Sequence, residues 1–231
     1  MVSIANNLQE VQQRIAAACR QAGRDAAGVT LLAVSKTFGA DAVREAAAAG
    51  QRAFGENYVQ EALAKIDALA ELCPALEWHL IGPLQSNKTR AVAAAFDWVH
   101  TVDRLKIAQR LAEQRPPGLP PLNLCLQVNI SGEASKSGLH SAEVAAVAQA
   151  VARLPAARVV LRGLMAVPEP SPDTLAQRRA HCALRELLQV LNNAGHAMDT
   201  LSMGMSEDLE AAVAEGATVV RVGRAIFGAR G

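Results

Sequence analysis

Short apolar runs alternate with longer amphipathic runs along the chain. The apolar runs are continuous rather than alternating, which is typical of parallel strands covered on both faces. We predict eight strands, at residues 30–36, 52–55, 77–81, 98–102, 122–130, 159–166, 200–203 and 218–222. The amphipathic runs predict helices at residues 3–21, 41–49, 58–72, 87–95, 103–114, 141–153, 173–193 and 206–215, with a short closing segment after residue 222.

The strand–helix unit is the only repeat, and its spacing suits βαβ connections. A closed parallel (β/α)8 TIM barrel is the most economical fold for eight such units, and a doubly wound open sheet is the alternative. The proline-rich stretch at residues 115–121 is short enough to be a loop within one domain. We therefore predict a single α/β barrel domain over residues 1–231, in which residues 1–25 form an N-terminal helix that packs on the barrel.

The composition favours helices packed closely on a sheet, because 51% of the 231 residues are hydrophobic and only 3% are aromatic. A net charge of +1 argues against a general attraction to nucleic acid or acidic membranes. The N-terminus does not resemble a signal peptide, and no apolar run is long enough to span a bilayer. The four cysteines lack disulfide or metal spacing, so we expect a soluble cytoplasmic protein in a reducing compartment; they are Cys19, Cys73, Cys125 and Cys182.

Active sites of such barrels lie at the carboxyl ends of the strands. Lys36 ends the first predicted strand. A lysine at this position either extends its ammonium into solvent or lies in a pocket, where the amine can lose its proton near neutral pH and attack a carbonyl. Lys36 is therefore the candidate for a lysine that forms a Schiff base with a ligand.

The loops after the seventh and eighth strands indicate a phosphate site. Many barrels bind phosphate with these loops and the N-terminus of a short extra helix. Ser206 is predicted to cap the next helix, with Glu207 and Asp208 in its first turn. Gly223 allows close approach of the backbone, and Arg224 would begin the short extra helix. Each feature alone is also explained as a simple cap or turn, but their presence on neighbouring strands favours a phosphate.

Arg221 lies inside an otherwise apolar strand. A guanidinium there needs an ion-pair partner or a solvent-filled opening of the barrel, and its position beside the phosphate loops favours a ligand.

His79 and His100 also lie in strands, where a lone histidine is more often a core residue than a ligand. Glu56 is either a general base or an acid at a helix start. Neither a metal-ligand cluster nor a GxGxxG motif after the first strand is present, so no metal or dinucleotide is expected.

Motifs along nearly the whole chain match one known family. The matching stretches are AVSKT at 33–37, FGENYVQE at 54–61, WHLIGPLQSNK at 78–88, VNI at 128–130, KSG at 136–138, GLM at 163–165, LSMGMSED at 201–208 and VRVGRAIFG at 220–228. On these residues the chain resembles the pyridoxal phosphate homeostasis proteins, the PLP-binding proteins of YggS/PROSC type. No motif position departs from the family pattern.

The resemblance implies a fold-type III barrel like the N-terminal domain of alanine racemase, without the extra C-terminal β domain that racemases carry. It implies that Lys36 holds pyridoxal 5′-phosphate (PLP) as an internal aldimine. It also implies that the phosphate is held mainly by hydroxyl and backbone N–H groups of Ser206, Gly223 and Arg224.

The same resemblance implies contacts to the ring of PLP. Arg221 would face the pyridine nitrogen and keep it unprotonated, which weakens the electron sink on which most PLP chemistry relies. The side chains expected to line the ring are Asn57, Ile81 and Met203.

Two functions share such a site. A carrier would hold and release PLP in vitamin B6 homeostasis without strong turnover, whereas a PLP-dependent amino-acid racemase would use the cofactor for catalysis. Tyr58 is the only tyrosine and the sequence ends soon after the eighth strand, so the second base of a two-base racemase is missing and the carrier is favoured. An aldolase-like barrel that forms an imine with a sugar phosphate is a third interpretation.

The carrier interpretation also names partners. PLP is the ligand and PLP-dependent apo-enzymes are candidate recipients, with no nucleic acid and no membrane partner. Lys136, in the loop after the fifth strand, is either a secondary or transit amine or an exposed loop lysine. A monomer is expected, because a usual dimer surface belongs to the domain that the sequence lacks.

Overall fold

The computed structural model describes residues 3–72, 75–132 and 137–228. Within these ranges, eight parallel strands form a closed barrel in sequence order. The strands are β1 (Thr30–Val34), β2 (Ala53–Glu56), β3 (Glu77–Leu80), β4 (Trp98–Val102), β5 (Leu122–Gln127), β6 (Val159–Met165), β7 (Thr200–Ser202) and β8 (Val219–Val222). Ala33 of β1 lies opposite both Phe54 of β2 and Val222 of β8, and this double pairing closes the barrel. The predicted (β/α)8 barrel is confirmed, and the open-sheet alternative is wrong.

Helices surround the barrel and connect its strands. They are α1 (Ile4–Gln21), α2 (Ala40–Ala48), α3 (Val59–Ala68), α4 (Thr89–Ala95), α5 (Leu105–Gln114), α6 (Ser141–Ala152), α7 (Thr174–Asn193), α8 (Leu209–Ala214) and α9 (Arg224–Phe227). Short 3-10 turns lie at Ala26–Gly28, Ala70–Leu72 and Ser86–Lys88. Among the described residues, no helix is both long enough and apolar enough to cross a bilayer.

Apolar side chains fill both faces of the barrel wall. Because successive strand residues point to opposite faces, Leu31 and Ala33 join the core beneath the helices, whereas Leu32 packs with Ala53 and Val219 in a separate cluster inside the barrel. Fully burying each large aliphatic side chain contributes about 1.5–3 kcal/mol. Arg221 lies opposite Leu32 in the strand register, so its side chain also points into the barrel.

The first helix is positioned by its own apolar stripe. Ser3 Oγ accepts the N–H of Asn6 and so caps α1. Leu8, Val11 and Ile15 recur at helical spacing and are buried. With this stripe, α1 packs against α2, α8 and α9, and so lies beside the two helices that follow β7 and β8.

Several predicted boundaries differ from the structure, among them the end of β1, which lies at Val34 rather than at Lys36. Two others change the loops that follow β5 and β7. β5 ends at Gln127 rather than at residue 130, because Gln127 and Asn129 form backbone hydrogen bonds with Leu139 as it returns from the following loop. α8 begins at Leu209 rather than at residue 206, and its N-cap residue is Asp208. The predicted capping role of Ser206 is therefore wrong, as is the placement of the two acidic residues after it in the first helical turn; residues 206–208 form a turn before the helix.

Candidate functional site

Lys36 lies two residues beyond the last residue of β1, at the carboxyl mouth of the barrel, and it is partly buried. The next residue, Thr37, has a φ of 69°, in the left-handed region that is strained for a β-branched side chain. Phe38 then stacks on Phe227 of α9, with ring centroids 5.2 Å apart. Lys36 therefore belongs to a loop that is held against the element after β8.

A buried charged cluster supports the same loop from β2 and α3. The Ser35 carbonyl accepts from Lys65 Nζ at 2.7 Å, and the Ser35 hydroxyl donates to Glu56 Oε1 at 2.6 Å. Lys65 Nζ also donates to Glu56 Oε1 at 2.6 Å and lies 3.2 Å from Glu61 Oε1, which accepts the Thr37 N–H at 2.6 Å. Burial raises the pKa of Glu56, although the hydrogen bonds from Lys65 and Ser35 partly offset this. Glu56 is the last residue of β2 and partners Lys65, so its interpretation as an acid at a helix start is wrong.

The end of β8 lies directly beside the end of β1. A Cβ on Gly223 would lie 3.1 Å from the carbonyl oxygen of Val34 and 3.3 Å from its Cβ, so a side chain there would crowd β1. α9 then begins at Arg224, which is exposed. The first N–H groups of a helix have no acceptors within the helix and attract anions. α9 therefore presents donors at the mouth where Lys36 lies.

The loop after β7 is shaped by a glycine and a buried carboxylate. Gly204 has a φ of 89°, and a Cβ there would lie 2.4 Å from Ala212 Cβ, so this position needs glycine. Asp208 Oδ1 accepts the Met205 N–H at 2.6 Å, and Asp208 Oδ2 lies 2.9 Å from His181 Nε2 on α7. Burial opposes ionisation of Asp208, but these hydrogen bonds outweigh it and lower its pKa. The ionised side chain therefore holds the backbone just before Ser206.

α1 contacts the turn after β7 and the helix α9 after β8, a role that the sequence analysis missed. Arg14 Nη2 donates to the Ser206 carbonyl at 3.1 Å and pairs with Glu210 Oε1 at 2.9 Å. Asn7 Nδ2 donates to the Ile226 carbonyl at 2.8 Å. Polar residues on an amphipathic helix usually face solvent, so the local pattern contains no signal for these long-range contacts.

Arg221 is 4% exposed, and two strands hold its guanidinium. Nη1 donates to Ser202 Oγ of β7 at 2.8 Å, and Nη2 donates to the Ala166 carbonyl, just after β6, at 2.8 Å. Burial lowers the pKa of Arg221 to about 10, while Asp208 acts in the opposite direction. The side chain therefore remains a cation at neutral pH and has one defined orientation.

The residues predicted to line a ring follow β2, β3 and β7. Asn57 is partly buried, and its Oδ1 is buried without a hydrogen-bond partner among the described residues. The Ile81 N–H donates to the Glu56 carbonyl at 2.9 Å, and Met203 is fully buried. Because buried polar atoms are normally paired, the Asn57 oxygen marks a place where a ligand donor would be satisfied.

The structure thus brings the candidate residues to one end of the barrel, on or just after the ends of neighbouring strands. These residues are Lys36 after β1, Asn57 after β2, Ile81 after β3, Met203 and Ser206 after β7, and Arg221, Gly223 and Arg224 in or after β8. The groups present fit PLP, because they combine an amine for an aldehyde, N–H donors for a phosphate and a guanidinium for a ring nitrogen. Their binding roles stay predictions, and Lys136 lies outside the described residues.

The histidine, cysteine and carboxylate side chains of the described residues bear on metal binding and on thiol chemistry. No group of three or more His, Cys, Asp or Glu side chains there lies close enough to hold a metal ion. Cys19 and Cys125 are buried, free thiols, and Cys182 is free and partly buried. Burial raises the pKa of Cys125 to about 12, so its thiol stays protonated and is a poor nucleophile at neutral pH. Cys73 lies outside the described residues.

Comparison with known sequences identifies relatives over the whole chain. The family described as "Alanine racemase, N-terminal domain" matches residues 4–231. The chain is 63% identical over 230 residues to the pyridoxal phosphate homeostasis protein of Pseudomonas aeruginosa, covering 100% of this chain and 97% of that protein. It is 54% identical over 231 residues to the protein of the same name from Escherichia coli (strain K12), covering 100% of this chain and 98% of that protein.

Solved structures agree with the sequence relatives. PipY of Synechococcus elongatus with PLP bound matches with a TM-score of 0.84 at 37% identity, covering 98% of this chain and 100% of that chain. An alanine racemase of Clostridium difficile matches with a TM-score of 0.70 at 11% identity, covering 93% of this chain and 56% of that chain, which shows a shared fold. The chain therefore belongs to the pyridoxal phosphate homeostasis protein family, and its barrel has the fold of the alanine racemase N-terminal domain.

Proposed function

We propose that this protein binds PLP and contributes to PLP homeostasis as a carrier, holding the cofactor through Lys36 and releasing it without strong catalytic turnover. The observation that supports this most directly is the position of Lys36 on a loop that packs against α9. An amine, a helix N-terminus and a buried guanidinium therefore meet at one mouth. The homeostasis proteins of two bacteria and the PLP-bound structure of PipY support the identity of the ligand.

The proposed contacts divide between the two ends of the cofactor. PLP supplies an aldehyde that condenses with a lysine amine and a ring that withdraws electrons. Lys36 provides the amine. Ser206, Gly223 and Arg224 bind the phosphate through a hydroxyl and backbone N–H groups, on loops that α1 fixes from outside.

The ring contacts bear on catalysis as well as on binding. In this proposal Asn57, Ile81 and Met203 line the ring, and Arg221 faces its nitrogen. Arg221 stays cationic at neutral pH because even its lowered pKa is about 10. A neighbouring cation disfavours protonation of the ring nitrogen, and an unprotonated ring withdraws electrons less strongly. This supports a carrier over an enzyme that depends on a strong electron sink.

An amino-acid racemase is the second candidate, because the barrel shares the fold of alanine racemase. Two-base racemisation needs a second proton donor and acceptor opposite the lysine. Tyr58 is the only tyrosine in the sequence, and it lies at the N-cap of α3 with 58% of its surface exposed. Such an exposed phenol is poorly suited to that role.

Borohydride reduction tests the proposed tether. The protein is incubated with PLP, reduced, digested and analysed by mass spectrometry. We expect the adduct on Lys36; it should be absent in Lys36→Ala and retained in Lys106→Ala, which changes an exposed lysine on α5. An adduct on a different lysine of the wild-type protein would overturn the proposed site.

Racemisation assays separate a carrier from an enzyme. The wild type, Lys36→Ala and Tyr58→Phe are incubated with PLP and single L-amino acids, and the D-enantiomer is measured. We expect no appreciable turnover that depends on Lys36. Robust racemisation that is lost in Lys36→Ala would show an enzyme, and its loss in Tyr58→Phe would identify the second base.

The proposal also covers partners, location and assembly. We propose that PLP-dependent apo-enzymes receive the cofactor and that the protein is a cytoplasmic monomer; free thiols such as Cys19 and Cys125 suit a reducing compartment. Activation of an apo-enzyme by the loaded protein while a phosphatase removes free PLP would support direct transfer. Cell fractionation tests the location, and gel filtration with light scattering tests the monomer.

A further inference from the structure

A chain of hydrogen-bonded side chains runs through the interior of the barrel. Arg221 Nη1 lies 2.8 Å from Ser202 Oγ, and Ser202 Oγ lies 2.7 Å from His100 Nδ1. His100 Nε2 lies 2.9 Å from His79 Nδ1. His79 Nε2 lies 3.0 Å from Glu77 Oε1, within ion-pair distance although the two atoms are not well aligned for a hydrogen bond. The chain thus links β8, β7, β4 and β3.

The two ends of this chain lie at opposite mouths of the barrel. Arg221, Ser202 and both histidines are 4% exposed or less. Glu77 is the first residue of β3, at the amino-terminal mouth, and 48% of its side chain is exposed. It also lines a surface cleft of about 400 Å³ at that mouth. A solvent-exposed carboxylate is therefore connected through buried groups to the guanidinium on the Lys36 side.

The chemistry of the groups gives the chain one direction. An ionised Glu77 only accepts hydrogen bonds, and its contact with His79 lowers its pKa. The negative charge of Glu77 Oε1, 3.0 Å away, favours the proton of His79 on Nε2, and a neutral His79 then has Nδ1 as an acceptor for His100 Nε2–H. His100 Nδ1 is then an acceptor for the hydrogen bond donated by the Ser202 hydroxyl. The Ser202 oxygen in turn accepts a hydrogen bond from Arg221. Every donor therefore points from Arg221 towards Glu77.

The surroundings favour a neutral His100. Burial, His79 and the cationic Arg221 hold the pKa of His100 well below its usual value. The charged or ionisable groups that act on the two ends of the chain from other elements are Asp97 before β4, Cys125 of β5, Arg162 of β6 and Asp208 before α8. None of these is a hydrogen-bonded member of the chain, so its direction is determined by Glu77 and Arg221.

We propose that Ser202, His100 and His79 are positioning residues that orient Arg221 towards the cofactor ring and couple it to Glu77 at the far mouth of the barrel. The inference rests on the proposed function, since it concerns how the PLP-facing guanidinium is held. Hydrogen bonds in such a chain polarise one another, so a change at Glu77 reaches Arg221 without any backbone movement. Sequence reasoning treated each histidine alone and so missed the pair.

Nitrogen NMR of the histidine rings tests the direction without any cofactor. In ¹⁵N-labelled protein we expect His79 and His100 as the Nε2–H tautomer, with the His100 signals unchanged between pH 5.5 and 8. Glu77→Gln should mix the tautomers, because an amide can donate or accept, and Glu10→Gln on the exposed face of α1 should not. An Nδ1–H tautomer at His100, or tautomers unaffected by Glu77→Gln, would overturn the proposal. Because Glu77 is half-exposed, this variant should fold.

A matched pair of variants tests the link to the cofactor. We expect Ser202→Ala to weaken PLP binding about tenfold, as for loss of a buried hydrogen bond to a charged group, and to shift the absorbance of bound PLP. Ser202→Thr, which keeps the hydroxyl, should restore both, and the borohydride adduct should stay on Lys36 in each. Failure of the wild-type protein to bind PLP would overturn the proposed function but would not affect the NMR result. If the wild type binds PLP and Ser202→Ala shows the same affinity and absorbance spectrum, only the proposed coupling would be overturned.

Discussion

Lys65 Nζ lies 2.6 Å from Glu56 Oε1, and both side chains are almost completely buried. The same ammonium donates to the carbonyl of Ser35, the residue before Lys36. One lysine of α3 therefore neutralises a carboxylate of β2 and holds the backbone at the end of β1. Because burying such a pair costs desolvation free energy, we interpret it as a means of placing the Lys36 loop rather than as a gain in stability.

Removing one partner of this pair should be far more damaging than removing both. Lys65→Met leaves a buried carboxylate without its cation, so we expect a loss of about 3–5 kcal/mol in the free energy of unfolding. The double variant Lys65→Met with Glu56→Gln should recover much of this loss. Urea denaturation measures both, with Arg44→Met as the control because its ion pairs with Asp41 and Glu71 are exposed. Equal losses in Lys65→Met and Arg44→Met would contradict this interpretation.

The raised pKa of Glu56 predicts a pH dependence. A carboxyl whose pKa is higher in the folded state than its ordinary value of 4.5 binds its proton more tightly when folded. Its contribution to stability is therefore complete below that value and is lost as the pH rises through the raised pKa. Relative to Glu56→Gln, wild-type stability should fall as the pH rises from about 4 towards neutrality. Denaturation curves at several pH values measure this. A wild-type stability that rises with pH relative to that of Glu56→Gln would show the opposite shift.

Asp208 should show the reverse dependence. Its pKa is lowered from 3.8 in the folded protein, so its contribution is present above that value and is lost as the pH falls through the lowered pKa. We expect Asp208→Asn to be less stable than the wild type at pH 7 and to approach wild-type stability in acid. It should also bind PLP more weakly, because the hydrogen bond from the Met205 N–H to residue 208 is weakened. Asp67→Asn, on the exposed face of α3, serves as the control. A loss of stability that is the same at pH 3 and pH 7 would rule out this linkage.

The loop after β7 should reject a side chain at Gly204. Gly204 and Gly195 both have positive φ, at 89° and 100°, but only at Gly204 would a Cβ collide, 2.4 Å from Ala212 Cβ. Gly195→Ala should cost about 1–2 kcal/mol for the backbone conformation alone. Gly204→Ala should cost at least about 1 kcal/mol more, because overpacking is added. Thermal and urea unfolding compare the two variants, and equal losses would mean that the loop relaxes around the added methyl group.

Most of the fold follows from local pattern. Continuous apolar strands and amphipathic helices at regular spacing predict the barrel, because each element must bury its apolar face against a neighbour. The same regularity places Lys36, Asn57, Ile81, Met203, Ser206 and Arg221 at or near the strand ends of one mouth.

The turn before α8 is where local pattern misleads. A serine followed by two acidic residues is a common helix start, yet Asp208 is recruited by the Met205 N–H and by His181 of α7, and the helix begins later. Whether a carboxylate enters a helix or folds over a loop depends on which distant donors reach it.

Local periodicity is therefore enough to predict the barrel, its order of elements and the mouth at which the candidate residues gather. It does not predict the pairing of Lys65 with Glu56, the contacts of Arg14 with the loop after β7, or the link from Arg221 through His100 to Glu77. Strand and helix periodicities act over a few residues, whereas these contacts join side chains from elements far apart in the chain. Their distances are set by how the barrel closes.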